Sequence, residues 1–173
     1  MALLQSTDRP VGTAQLREFA GFFADEIRSG KYPFVDFDED ERWHQRLYRD
    51  PRIDIWLISW LPTQGTQLHD HGGSSGAFTV LDGSLTESVP SGYADGRVRI
   101  RDIERASGDT VAFGRHYIHD VCNTGTEAAV SVHAYSPPLS SMTFYDISAG
   151  DLVAVETLAT DDPEPDVAQR LAS

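Results

Sequence analysis

Two regimes of hydrophobic spacing divide this chain. Between residues 13 and 29, Leu16, Phe19, Ala20, Phe23 and Ile27 recur at intervals of three and four, with Arg17, Glu18, Asp25, Glu26 and Arg28 between them. That period predicts a helix with one apolar face. Thr13 offers an N-cap and Gly30 a stop. A second short helix is expected over 40–49, ended by Pro51. From residue 54 onward the runs shorten and fill with Val, Ile, Thr, Trp, Phe and Tyr. Strands are predicted over 54–61, 76–81, 85–89, 97–103, 110–113, 117–121, 128–136, 142–146 and 152–158. Turn signals separate them, among them Asp82-Gly83, Asp95-Gly96, Ser107-Gly108 and Ala149-Gly150. In one of these runs Val98, Ile100 and Ile103 suggest an apolar face, with Arg97, Arg99 and Arg101 turned to water. Many short strands at regular spacing predict a sandwich or a barrel.

The composition narrows the class. The 173 residues suffice for one domain with a real core, and 40% of them are hydrophobic. The expected division is a helical segment over about 1–50, a barrel over about 53–159 and an acidic, Pro-rich mobile tail over about 160–173. The net charge of −13, with only 14 Lys and Arg, repels phosphate backbones and anionic lipid. No nucleic-acid or membrane partner is expected. The lone Cys122 cannot close an internal disulfide. The N-terminus lacks the charged and apolar regions of a secretion signal, and no apolar run approaches the roughly 18 residues of a membrane span. A soluble, cytoplasmic protein is expected, a monomer or a weak homo-oligomer.

The chemistry concentrates in Leu68-His69-Asp70-His71-Gly72-Gly73. Residues two apart on an extended strand point the same way, so His69 and His71 can grip one metal ion together while Asp70 faces away. His119, in His119-Asp-Val-Cys-Asn123, is the candidate third ligand. Neutral imidazole suits iron, zinc, copper and nickel. His116 is the rival to His119, but no Asn follows it by four, and a rim or surface position is expected. His44 reads as structural and Cys122 as a small buried hydrophobe. Trp43, Trp56 and Trp60 read as core or pocket wall.

The spacing resembles the cupin superfamily. His71 is followed by four residues, Gly76, six residues and Gly83, as in the second half of the first cupin motif, and His119-x-x-x-Asn123 fits the end of the second. Gly76 falls where many cupins place a glutamate ligand. Within the superfamily the chain looks like the thiol dioxygenases, of which cysteine dioxygenase is the best known. Ser131-Val-His133-Ala-Tyr135-Ser136-Pro137-Pro138 is close to their S-x-H-x-Y-S-P-P signature and follows the three histidines in the family's order.

The resemblance implies a mainly β fold, a single cupin barrel (a double-stranded β-helix, jelly-roll-like) with short N-terminal α-helices. It implies Fe(II) held by His69, His71 and His119, three neutral ligands that leave the metal its full charge for an anionic thiolate. It implies a relay of Ser131, His133 and Tyr135 toward bound substrate and O2. Arg46 lies about where the family carries its carboxylate-binding arginine, with Arg42, Arg49 and Arg52 as alternatives. The implied reaction adds both atoms of O2 to the sulfur of a small thiol, L-cysteine first. Gln45 keeps 3-mercaptopropionate open, since relatives preferring that substrate carry a glutamine at the corresponding place. Animal cysteine dioxygenases have a cysteine at the Gly76 position, cross-linked to the tyrosine equivalent to Tyr135. Glycine excludes that thioether here. Another metal-dependent cupin enzyme and a small-ligand-binding cupin are the rival readings.

Overall fold

The computed structural model describes residues 9–32 and 35–163. One helix, α1 (Thr13–Arg28), precedes eleven strands. They are β1 (His44–Asp50), β2 (Ile53–Trp60), β3 (His69–Asp70), β4 (Ser75–Asp82), β5 (Ser84–Ala94), β6 (Arg97–Ala106), β7 (Thr110–Phe113), β8 (Asp120–Cys122), β9 (Ala129–Ser136), β10 (Ser141–Ser148) and β11 (Asp151–Ala159). They form a five-stranded sheet in the order β1-β2-β9-β4-β7 and two three-stranded sheets, β11-β10-β3 and β6-β5-β8. Every pairing given is antiparallel. The fold is mainly β, of the double-stranded β-helix kind.

The centre of the five-stranded sheet is buried on both faces. Every residue of β2 and of β9 is buried. Alternation still sorts their side chains. Ile53, Ile55, Leu57, Val130, Val132 and Ala134 pack with Leu16, Ala20, Phe23 and Ala24 of α1. Trp56, Ile58, Trp60, Ala129 and Tyr135 point the other way, into the barrel, where they meet Phe78, Val80, Leu85, Phe113 and Val121. The helix is thus the lid on the outer face of the sheet. Its N-cap is Gly12, and Thr13 is the first helical residue without a side-chain cap bond. Gly30 follows the helix at φ +80°, the left-handed conformation a helix stop favours.

Among the elements after α1, three expectations change. Residues 44–50 are an edge strand and not a second helix; β1 pairs with β2 through His44↔Ile58, Arg46↔Trp56 and Arg49↔Asp54. The ladder bonds offered by β2 outweigh a weak local helix propensity. The N-terminal region therefore contributes one helix among the described residues. In β6, Ile100 is exposed and Val98 and Ile103 only half-buried, so the strand is largely solvated on both faces. The strand expected over 117–121 is confined to Asp120–Cys122, and the Tyr117 N–H bonds the Gly114 carbonyl in the preceding turn (3.1 Å).

After β11, residues 160–163 make contacts with the barrel. The Thr160 N–H donates to the Ser140 carbonyl (3.1 Å), Asp161 and Asp162 pair with residues of β1, and Pro163 is buried. The rest of the expected mobile tail lies outside the described residues. None of the described helices is long and apolar enough to cross a membrane.

Candidate metal centre

β3 is two residues long, held to β10 by Phe144↔His69 and Thr143↔Asp70. His71 follows it on the same side. His119 arrives from the far side of the barrel, just before β8. His69 and His119 form an isolated antiparallel bridge: His69 N–H to the His119 carbonyl at 2.9 Å, and His119 N–H to the His69 carbonyl at 3.1 Å. The three rings meet edge-on or tilted in one buried group, with centroids 4.9, 4.9 and 5.2 Å apart. One ring nitrogen from each lies within 4.8 Å of the others.

The outer hydrogen bonds fix the tautomers. His69 Nδ1 donates to the Gln67 carbonyl (2.7 Å) and His119 Nδ1 to Glu87 Oε1 (2.9 Å). With Nδ1 donating, the Nε2 of each ring is the nitrogen left to serve as a ligand atom. His71 Nε2 is buried with no hydrogen-bond partner. Burial, followed by the charge of the neighbouring imidazoles, holds His69 and His71 far below the ordinary histidine range. The pocket therefore presents unprotonated nitrogen and an orphaned acceptor. A divalent transition-metal ion satisfies both, and the donor set fits one. Asp70 points away from the rings: it accepts from the Tyr145 hydroxyl (2.7 Å) and the Gly72 N–H (2.8 Å), pinning the loop that carries His71.

β9 lines the pocket with Ser131, His133 and Tyr135. Trp60 Nε1 donates to Ser131 Oγ (2.8 Å), which meets His133 Nε2 at 2.8 Å; His133 Nδ1 meets the Tyr135 hydroxyl at 3.2 Å. The Tyr135 ring lies 5.1 Å from that of His71. Burial first, then the charges of His119 and Arg42, lowers His133 to about 3. It is neutral at any working pH, so one ring nitrogen donates and the other accepts.

Gly76 faces Tyr135 across the β4–β9 ladder. A Cβ there would overlap the Phe113 ring and touch Tyr135 Cδ1 at 3.1 Å. Phe113, stacked on His71 with centroids 4.9 Å apart, takes the space a longer side chain would need. No carboxylate enters the group of three histidines from this position.

Behind His119 lies a residue that was not anticipated. Glu87 on β5 is fully buried. Its Oε1 accepts from His119 Nδ1 and from the Tyr117 hydroxyl (3.1 Å), and its Oε2 accepts from Arg105 Nε (2.9 Å) and Nη2 (2.6 Å). Burial pushes this carboxyl up, but the bonds and charges of His119 and Arg105 outweigh it, and the group sits below its usual range. The signal was present in the chain: Leu85, Glu87 and Val89 share one strand face, and a charge on an otherwise apolar face needs a partner.

The arginines divide between two places. Arg46, opposite Trp56, is on the barrel side of β1, and its guanidinium lies 4.3 Å from the Trp56 ring centroid. Arg46 and Arg49 both bind Asp161 (3.0 and 2.9 Å). Arg42 lies over Trp60, its Nη1 shielded from solvent, and its charge acts on His69 and His133. Arg52 pairs with Asp50 (3.6 Å). Gln45 is opposite Leu57, on the outer side of the sheet. His44 pairs with Asp162 (3.0 Å) and packs on Trp56. His116 is exposed. Cys122 is half-buried, and not the buried hydrophobe expected, because it sits at the barrel rim with its Sγ 4.0 Å from the Thr63 carbonyl.

The family model described as cysteine dioxygenase type I matches residues 24–148. The chain belongs to the cysteine dioxygenase type I family. Cysteine dioxygenase type 1 of Danio rerio is 26% identical over 127 residues, covering 68% of this chain and 62% of that protein. The Homo sapiens protein of the same name is 26% identical over 106 residues, covering 57% and 52%. The chain thus spans between half and two thirds of the length of these curated relatives. Among solved structures, the TT1209 protein from Thermus thermophilus superposes with a TM-score of 0.51 at 18% identity, over 60% of this chain and 90% of that one. Oxalate oxidase with the substrate analogue glycolate gives 0.51 at 15%, over 66% and 60%. These two likenesses concern the cupin fold alone. For a cysteine dioxygenase family member, the pocket has three histidines, a Ser–His–Tyr row and glycine at position 76.

Proposed function

We propose that the protein is an Fe(II)-dependent thiol dioxygenase that converts a small thiol carboxylate to its sulfinate, R–S⁻ + O2 → R–SO2⁻. The observation that carries this reading is the meeting of three buried imidazoles with Tyr135 in one pocket. Both oxygen atoms end on sulfur, so no further reductant is needed. His69, His71 and His119 would hold the iron, which would supply Lewis acidity toward the thiolate and redox activation of O2.

The chain's own residues do the rest. Trp60 Nε1–H can only donate, so it fills one lone pair of Ser131 Oγ. The Ser131 hydroxyl then donates to His133 Nε2, and His133 Nδ1–H donates to the Tyr135 oxygen. In this ordering the Tyr135 oxygen accepts from His133, and the role assigned to its O–H is to donate to charge developing on the substrate. Phe113, Phe144 and Trp60 keep the pocket apolar, which strengthens that hydrogen bond.

The substrate's carboxylate is assigned to Arg46, which shares the barrel side with Trp56 and reaches a carboxylate in the form of Asp161. Arg42 is the second reading, favoured by the action of its charge on His69 and His133. L-cysteine is the proposed substrate. Gln45, the residue that favours 3-mercaptopropionate, faces away from the pocket. Iron-loaded protein supplied with each thiol, with oxygen uptake and sulfinate mass measured, tests the assignment. Sulfinate from cysteine is expected; no sulfinate from either thiol removes the proposal.

A further inference from the structure

We infer that Glu87 supplies, through the imidazole of His119, the negative charge that glycine at position 76 withholds from the metal. This rests on the reading of His69, His71 and His119 as a metal site. Three observations meet here. Gly76 has no side chain, and Phe113 blocks any carboxylate from that wall. Glu87 is the fully buried acidic side chain that touches a histidine of the group, at 2.9 Å. Arg105 grips the opposite oxygen through two nitrogens, fixing the carboxylate and facing it with a cation inside the barrel.

The physical consequence is an unequal set of ligands. The Nδ1–H of His69 meets a carbonyl, which is a neutral acceptor. The Nδ1–H of His119 meets an anion. An imidazole whose N–H is held by a carboxylate is the better electron donor at its other nitrogen. His119 would therefore be a stronger ligand than His69, and a bound cation would gain a counter-charge one imidazole away. Tyr117 and Arg105 share the same carboxylate and moderate the effect. Glu87 is a positioning and charge-tuning residue, since it acts through His119 and touches no reactant.

Glu87→Gln tests this, because glutamine keeps the shape and an acceptor oxygen for His119 while removing the charge. The probe is Co(II) alone, titrated into metal-free protein against a competing chelator. The expected result is a roughly 10–100-fold weaker Co(II) affinity for Glu87→Gln, with a shifted Co(II) absorption spectrum and a higher Fe(III)/Fe(II) potential in the iron form. Tyr117→Phe, which leaves Glu87 charged with one donor fewer, keeps or raises the affinity. Wild-type affinity and potential in Glu87→Gln overturn the inference, because orientation alone survives in that variant. If Glu87→Gln does not fold, as circular dichroism would show, Glu87→Asp serves: it keeps the charge and should retain at least a tenth of the affinity, and a complete loss overturns the inference. Wild-type protein that binds no Co(II) overturns instead the metal reading beneath it.

Discussion

His69 and His119 are paired backbone to backbone, each donating its N–H to the other's carbonyl. Fifty residues separate them in sequence. The bridge joins the β11-β10-β3 sheet to the segment that leads into β8, so it closes the barrel and assembles the histidine group in one act. Its bonds come from main chain, and side-chain truncation leaves them intact. His69→Ala and His119→Ala should therefore keep the metal-free fold, with circular dichroism unchanged, and lose metal. Elemental analysis is the check: stoichiometric iron in either variant contradicts the ligand assignment.

Tyr135 ends the hydrogen-bonded row from Trp60 through Ser131 and His133. Tyr135→Phe should keep metal and thiol binding and lower kcat by about 10²–10³, the usual effect of removing one aimed donor. His133→Leu should resemble it, since the row is then cut one step earlier. Steady-state oxygen uptake at saturating thiol measures both; an unaltered kcat in Tyr135→Phe removes the hydroxyl from the mechanism.

Asp161 holds Arg46 and Arg49 and is itself 64% exposed. A substrate carboxylate reaching Arg46 must displace it. Asp161→Asn should lower KM for the thiol with little change in kcat. An unchanged KM, together with a raised KM in Arg42→Met, moves carboxylate binding to Arg42.

Gly76 has no room beside Phe113 and Tyr135. Gly76→Ala should destabilise the protein by about 1–3 kcal/mol through overpacking. Gly76→Ala combined with Phe113→Leu should recover part of the loss. Denaturant midpoints report both, and a neutral Gly76→Ala would mean that the ring moves aside freely.

Asp54 is buried on β2 with neither carboxylate oxygen hydrogen-bonded, and burial raises its carboxyl to about 6 against the opposing charges of Arg49 and Arg46. In the unfolded chain the same group titrates near 4. Between those values the folded protein binds more protons than the unfolded one, so stability from this group falls as pH rises from about 4 to 6 and stays reduced above. Two pH units correspond to at most about 3 kcal/mol. Asp54→Asn should gain stability at pH 8 and little at pH 4; urea unfolding at the two values measures the difference. Equal effects at both would assign Asp54 an ordinary carboxyl.

The local grammar of the chain carried much of this. The period of three and four in 13–29 determined α1, and β-branched runs between Gly turns determined most strands. The alternation of His69 with His71, and of Ser131, His133 and Tyr135, was legible because side-chain direction on a strand is set by covalent geometry alone. Tertiary structure decided the rest. Residues 44–50 became a strand because β2 offered them a ladder, which no local propensity records. Glu87 came to lie against His119, Asp161 came to Arg46, and Phe113 filled the space beside Gly76. These contacts join residues 32, 115 and 37 positions apart. They depend on how the sheets close, and closure is settled by packing and hydrogen-bond satisfaction over the whole barrel.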